Sequence, residues 1–514
     1  MSSAPQHGAI LGQLLQQVGR VDFQILAFPE IIGLRAEMKE AQAKSTNPDG
    51  SKNLDTPESL KAANEALQIQ KQISSCRATL KHYQVYGVKY LLDLCKANQW
   101  QLAAQHGRVY VYNGQYWQPI DENDLKHFLG KAIEKMGVEH VHAEYFRFRE
   151  ELVKQFHTTA HLQAPERDRS RVTVNLLNGT LSITPEGAEL REFRAEDFLT
   201  YQLAFSYDPA AVARIWPRFL NDMLPDTEAQ HVLAEALALA FLSSRILKLE
   251  KVPVLFGSGD NGKSVVADVL RAVLGTENVS GYSLKLLTQN ENARAGLQDI
   301  RINIASEIGG ITDSDIFKLL ASGEPVSAKL LYQDVFTMTD YGRLICNANK
   351  LPTDVENSHA FFRRFLIIPF SVTIAPAKKD TNLSKKIVET ELPGVLNWIL
   401  EGLARLLKQN DFSPCTATDQ ALQQYRHESN NVSLWLEDAG YTVSTTGHEQ
   451  QFKALYNEYR DFCKDEGFRP VSSKTFAQRM QAAGFEKQRK NTGYVYFVVK
   501  SFSAVEKGGS DAPF

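Results

Sequence analysis

A chain of 514 residues, 43% hydrophobic and 23% charged, is long enough to bury a sizeable core and to form more than one domain. Its net charge of −3 gives no global pull toward nucleic acid, which excludes a general DNA-coating protein but not one that concentrates basic residues in a pore. Cys76, Cys95, Cys346, Cys415 and Cys463 are scattered without any Cys-x-x-Cys pair, no leader opens the chain and no run reaches a membrane span, so a cytoplasmic protein with free thiols is expected.

Up to residue 100 the apolar spacing is helical, over Ile10 to Val18, Ile31 to Ala43 and Glu58 to Leu94, with a polar loop at Ser45–Ser51. This arm carries no catalytic cluster. It reads equally as an oligomerisation or docking element and as a plain helical hairpin. From 101 to 210 short strands take over. Arg108–Tyr112 and Gln115–Trp117 flank Asn113-Gly114, while Asn175–Leu177 and Thr180–Ile183 flank Asn178-Gly179, two hairpin signals in an α+β domain. Arg167, Arg169 and Arg171 alternate with Asp168 and Ser170 and read as a solvated loop. Helical spacing returns from Ile215 to Leu247, at the start of a third region, 211–428, which should combine a bundle with a nucleotide-binding core.

That core opens on Gly257-Ser258-Gly259-Asp260-Asn261-Gly262-Lys263-Ser264. An apolar stretch, Val252 to Phe256, precedes it as a buried strand, and Val265, Val266, Val269, Leu270 and Val273 follow at helical spacing. Glycines let the backbone curl so that successive N–H groups face phosphate oxygens, helped by the positive end of the helix. Lys263 would reach the β- and γ-phosphates of ATP, and the Ser264 hydroxyl would join the Mg²⁺ shell. Strand, loop and helix together make this a nucleoside triphosphate site.

Downstream, Ile300–Glu307 reads as a second buried strand, lying beside the loop strand and ending in an acid. Glu307 is the candidate base or water-positioning residue and a metal ligand. Ser306 stands where many such ATPases have a second acid, so Ser264 and waters would hold most of the Mg²⁺ shell. Gly342–Pro352 gives a third strand that ends in a polar residue and a turn; two asparagines compete, Asn347 and Asn349, of which Asn349 beside Leu351-Pro352 is the better placed to hold the lytic water or γ-phosphate. Arg363 and Arg364 then enter the apolar run Phe365–Phe370. Paired guanidiniums there are costly to bury without an anion, and a γ-phosphate on a neighbouring subunit would supply one; a surface salt bridge is the plainer alternative.

The last ordered region, 429–500, orders helix (Phe452–Phe462), helix (Ser472–Met480, with a serine cap) and hairpin (Phe485–Arg489 with Tyr494–Val499), which is the order of a winged helix. Lys474, Gln478 and Arg479 would face DNA from the second helix, with Lys487, Arg489 and Lys490 on the wing; such modules also dock proteins. Residues 501–514 are expected to be a disordered tail.

The motif order Gly-x-Gly-x-Asn-Gly-Lys-Ser, strand-Glu307, Gly323-Glu-Pro-Val-Ser-Ala-Lys329, strand-Asn349-x-Leu-Pro and Arg363-Arg-Phe-x-x-x-Pro-Phe resembles a superfamily 3 helicase, and more narrowly the helicase half of phage/plasmid and poxvirus-type primase–helicases. The match is specific from Val252 to Phe370. The resemblance implies an α/β, AAA+-like ATPase core of superfamily 3 type that assembles as a homo-hexameric ring, hydrolyses ATP between subunits and moves 3′ to 5′ on single-stranded or forked DNA. It implies that Gly323–Gln333 carries a hairpin lining the ring pore, with Lys329 on backbone phosphate and Tyr332 packing on sugar or base. It also implies that Arg364 is the arginine finger, with Arg363 in reserve, and that 101–210 is the accessory domain preceding the motor. A primase centre would need paired carboxylates on a strand. The N-terminal half offers none, and Asp313 and Asp315 lead into a helix of the core, so a separate primase partner is expected. Two other functions fit parts of the pattern: a P-loop ATPase that remodels or loads proteins on DNA, and an ATP-switched DNA-binding initiator.

Overall fold

The computed structural model describes residues 6–47, 51, 55–105, 107–162, 170–311, 313–331, 334–352, 355–356, 358–375, 379–491 and 493–500. The chain divides into two compact units, one of residues 1–168, 173–181 and 190–202 and one of the remainder.

In the first unit, residues on both sides of position 100 build one core. Ile10, Leu14, Val88 and Leu91, from the helices His7–Gln17 and Leu80–Ala97, pack with Val111, Leu129, Ile133 and Phe156. Strand Arg108–Tyr112 pairs antiparallel with Gln101–Gln105 on one side and Trp117–Ile120 on the other. The return strand begins at Trp117 and not at the expected Gln115. Asn113 explains the delay, because its Oδ1 accepts the backbone N–H groups of Gln115 and Tyr116 at 2.9 and 2.8 Å and holds both in the turn. The second Asn-Gly pair lies where Val172–Leu176 gives way to Gly179–Thr184, and Gly187–Arg191 completes that three-stranded sheet. Arg167 and Arg169 lie outside the described residues, as does the expected tail 501–514.

The second unit is built on a five-stranded parallel sheet. Its order is Phe365–Pro369, Val252–Phe256, Arg343–Ala348, Ile302–Ala305, Val279–Ser280. The longer strands are near-continuous apolar runs, as strands covered on both faces must be. One expectation is corrected here. The strand leading to Glu307 does not lie beside the loop strand, because Arg343–Ala348 is inserted between them. Parallel neighbours are set by how crossovers cover the two faces, and chain order does not reveal that.

Helices flank this sheet. Lys263–Leu274 leaves the glycine loop, and Thr227–Ala238 packs along Leu392–Gln409 so closely that a Cβ at Gly402 would lie 2.5 Å from the Ala234 carbonyl carbon. Helix Ile215–Met223 is fixed at its start by the Glu391 carboxylate, which accepts the backbone N–H groups of Arg214, Ile215 and Trp216 at 2.8–3.0 Å. A separate antiparallel hairpin joins Val326–Lys329 to Val335–Met338. Residues 431–500 gather around Trp435, Tyr459, Phe476 and Tyr496. The expected helices appear as Phe452–Asp465 and Ser473–Ala482, the latter capped by Ser472 Oγ accepting Thr475 N–H at 3.2 Å. Hairpin Lys487–Lys490 with Gly493–Lys500 follows, and a helix Asn431–Asp438 and two short strands are added ahead of the pair. Among the described residues no helix is long and apolar enough to cross a membrane.

Candidate functional site

The glycine loop leaves the end of Val252–Phe256 and turns into the helix that starts at Lys263. Gly259 and Gly262 take φ of +109° and +83°, conformations open to glycine at little cost. Gly257 is confined differently, since a Cβ there would meet Asn261 Nδ2 at 2.0 Å and Phe370 O at 2.4 Å. Asn261 is buried and donates to Phe370 O at 3.0 Å, which ties the loop to the end of the neighbouring strand. The Lys263 ammonium folds back into the loop, donating to Gly257 O at 2.7 Å and Asn261 Oδ1 at 2.8 Å. Burial pulls its pKa below the ordinary lysine value. A tight backbone cradle, a lysine inside it and the exposed Ser264 on the first helical turn suit a polyphosphate with Mg²⁺.

Glu307 and Asn349 are exposed and line one cavity of about 680 Å³, together with Gly309, Lys350 and Pro352. Gly257 N–H donates to Ala348 O at 3.1 Å, so the loop and Asn349 leave the sheet side by side. The loop, Glu307 and Asn349 thus all emerge at the carboxyl ends of parallel strands, where open α/β sheets bind ligands. Asn347 stays within its strand, and its Oδ1 is buried with no hydrogen-bond partner among the described residues.

The arginine pair lies at the other end. Arg363 and Arg364 precede Phe365–Pro369, which runs parallel to the loop strand, so they sit at the amino edge of the sheet. Arg363 is half exposed and donates to Glu250 Oε2 at 2.7 Å. Arg364 is turned inward, hydrogen-bonded to Ala360 O and Ser322 Oγ, with Glu250 at 3.7 Å. Of the two, Arg363 presents the reachable guanidinium, the reverse of the sequence expectation.

Lys329 is exposed at the end of its hairpin strand, and Leu331 and Val335 stand out beside it; Tyr332 lies outside the described residues. Asp313 and Asp315 lead into a helix as expected: Asp313 Oδ1 accepts the N–H groups of Asp315 and Ile316 at the start of helix Ser314–Ser322. Sequence reasoning missed Arg294, which is only 4% exposed yet hydrogen-bonded at each of its nitrogens, to Ser327 O, Ser327 Oγ and Leu287 O. Its signal was faint, a lone arginine in the short helix Glu291–Ala295.

The C-terminal cations divide. Lys474, Gln478 and Arg489 are exposed. Arg479 instead points into its own unit and donates to Asn430 Oδ1 and Asn431 Oδ1 at 3.4 and 3.0 Å, a correction to its expected place on a DNA face. The aromatic cluster beneath explains it, since burial there pulls the guanidinium pKa down and only polar partners make the position tolerable. Lys487 lies over the rings of Tyr494 and Phe452 at 3.9 and 5.2 Å, and Lys490 is paired with Glu449.

Against known proteins, three family models match: "D5 N terminal like" over residues 88–225, a family of unknown function over 255–364, and "Poxvirus D5 protein-like" over 432–507. Two viral relatives are similar, "Putative helicase 121R" of Invertebrate iridescent virus 3 at 20% identity over 57% of this chain, and "Putative helicase L207/L206" of Acanthamoeba polyphaga mimivirus at 24% over 48%. The two D5-type matches and the two helicase relatives support a D5-type superfamily 3 helicase. The chain spans about a third of the length of those relatives, 35% and 28%. Apo structures of the NrS-1 C-terminal region align with 81% of it at 11% identity and a TM-score of 0.46, covering 99% of that region. Within the chain, the glycine loop, Glu307 and Asn349 fall in the middle matched segment, and the C-terminal cations in the poxvirus-like one.

Proposed function

We propose that this chain is an ATP-driven DNA helicase that works as a ring of copies, six as the superfamily resemblance implies, moving 3′ to 5′ in the replication of a phage, plasmid or other mobile element in the cytoplasm. The observation that carries this is the shared carboxyl edge of the sheet, where the glycine loop leaves beside Asn349 and where Glu307 and Asn349 line one cavity. Bound ATP with Mg²⁺ supplies a reactive γ-phosphoryl bond and the metal that neutralises its charge. Gly257–Ser264 would cradle the phosphates, with Lys263 exchanging its two loop acceptors for phosphate oxygens. Ser264 and Glu307 would hold the metal; Glu307 would also orient the lytic water, aided by Asn349.

The arginine pair lies at the opposite edge, one strand length from that cavity. A five-residue strand is about 17 Å long, beyond the reach of an arginine side chain. Arg363 therefore cannot serve its own site and would serve a neighbour's, as a ring requires. Lys329, on an exposed hairpin, would contact the backbone of single-stranded DNA. The C-terminal region favours a second role: Arg479 is turned inward and Lys490 is paired with Glu449, so two of the cations expected on DNA are held within the region, which supports docking of a protein partner such as a separate primase.

The test is ATP hydrolysis with and without single-stranded DNA, alongside unwinding of a forked duplex with either tail. Hydrolysis stimulated by single strands with 3′-tail-dependent unwinding is expected. Hydrolysis without DNA response or unwinding moves the protein-remodelling ATPase ahead, and assembly on duplex DNA with ATP bound but unhydrolysed moves the switched initiator ahead.

A further inference from the structure

The base of the exposed hairpin is held by a buried charge. Arg294 donates from Nε to Ser327 O at 2.6 Å and from Nη2 to Ser327 Oγ at 3.2 Å, while Nη1 donates to Leu287 O at 3.1 Å. Glu291 pairs with Arg294 at 3.4 Å and accepts the Ser327 hydroxyl at 3.0 Å. Ser327 and Lys329 alternate along one strand, on the same face.

The contacts continue toward the carboxyl edge of the sheet. Leu287 belongs to helix Leu284–Gln289, which is entered through Tyr282. Both backbone groups of Tyr282 are taken by one side chain: Asn303 Oδ1 accepts its N–H at 2.7 Å, and Asn303 Nδ2 donates to its carbonyl at 2.8 Å. Asn303 is fully buried within Ile302–Ala305, the strand that leads to Glu307. Every link from Ser327 to the Glu307 strand is thus a hydrogen bond or a short rigid element.

A buried arginine is a poor way to hold two elements together if holding is all that is needed. Apolar side chains of like volume do it at equal or lower cost, whereas a fork of donors fixes one geometry. We infer that Arg294 and Glu291 form a clamp that carries the position of the Lys329 hairpin to Glu307, making Arg294 the positioning residue through which single-stranded DNA stimulates hydrolysis. The clamp rests on the helicase function proposed above.

Three quantities test it in the full chain: the rate without DNA, the rate at saturating oligo-dT, and the affinity for oligo-dT. R294Q should keep the rate without DNA and the affinity within about twofold and lose about fivefold or more of the stimulation, the usual range for coupling between sites. R294K, with a charge but no fork, should recover part of it. S327A removes only a hydroxyl and should lose less than R294Q, which keeps the test alive if R294Q folds poorly. A parent chain that hydrolyses ATP but ignores DNA sinks the helicase function and the clamp with it. A responsive parent whose R294Q or S327A variant is stimulated in full overturns the clamp alone, as does a variant that loses stimulation only because it no longer binds oligo-dT.

Discussion

The two edges of the parallel sheet differ in chemistry as sharply as in place. At the carboxyl edge the strands lead into the glycine loop, into Ser306-Glu307 and into Asn349, and Glu307 and Asn349 stand exposed around one cavity. At the amino edge the same strands begin with cations: Lys251 before Val252, Arg301 before Ile302, Arg343 opening its strand and Arg364 before Phe365. Most of these are spent internally, Arg343 Nη2 on Leu249 O at 2.7 Å and Arg301 Nε on Ala240 O at 3.1 Å. Arg363, half exposed, has its head held by a surface acid, Glu250. Under the proposed function one edge would receive a polyanion and the other would present Arg363 outward, so that two copies placed edge to edge would complete one site.

The sharpest way to break that contrast is to remove the outward cation. R363A should lower ATP hydrolysis of the assembled protein about a thousandfold, the scale of an arginine finger. Mixed with the parent, it should depress the rate more steeply than dilution, because each mutant silences the neighbour's site. A linear mixing curve would place the finger elsewhere. At the receiving edge, K263A should cost about a hundredfold or more through loss of a pre-placed cation, with the thermal midpoint unchanged and nucleotide binding weakened. E307Q should cost about a hundredfold by removing a base while ATP still binds. If E307Q turns over at the parental rate, the acid is not the water-positioning group.

Smaller effects sharpen the comparison. R364A should act mainly on stability, lowering it by about 2 kcal/mol because Glu250 and Ser322 lose a partner in a largely enclosed place; denaturant titration reads this. A finger-like mixing phenotype for R364A with normal stability would restore it as the catalytic arginine. K329A should weaken single-strand binding severalfold and flatten its salt dependence by a slope of about 0.7. An unchanged slope would mean that this lysine touches no phosphate.

Legibility in the sequence followed the range of the forces involved. Strand Val252–Phe256, its loop and the helix from Lys263 were readable because glycine conformations and helical spacing act over a few residues. The cap at Ser472 and the hairpin after it were readable for the same reason. The insertion of Arg343–Ala348 between the loop strand and the Glu307 strand was not, since parallel pairing is decided by distant crossovers. Arg363 and Arg364 are adjacent in sequence, and their division into outward and inward groups depends on Ser322 and Glu250, remote in the chain. Arg479 turns inward to Asn430 and Asn431, at the start of a helix inside 429–500 that the sequence pattern did not reveal. Arg294 was invisible because a buried cation betrays itself only through the carbonyls around it.

Gly262 has a consequence for anyone who would cut this chain. A Cβ there would lie 2.7 Å from Phe219 and 3.1 Å from Met223, so helix Ile215–Met223 is the floor on which the glycine loop rests. That helix lies inside the segment matching the D5 N-terminal family, which stops at residue 225, while the loop lies in the next match, which starts at 255. A truncation placed in the gap between the two matches looks natural on a domain map and would strip the floor from the loop. It would also leave the Glu391 carboxylate without the three backbone N–H groups it caps. A minimal ATPase fragment should therefore begin before Arg214, and one that begins after 225 should express as a less stable protein with impaired nucleotide binding, whatever the quality of its catalytic residues.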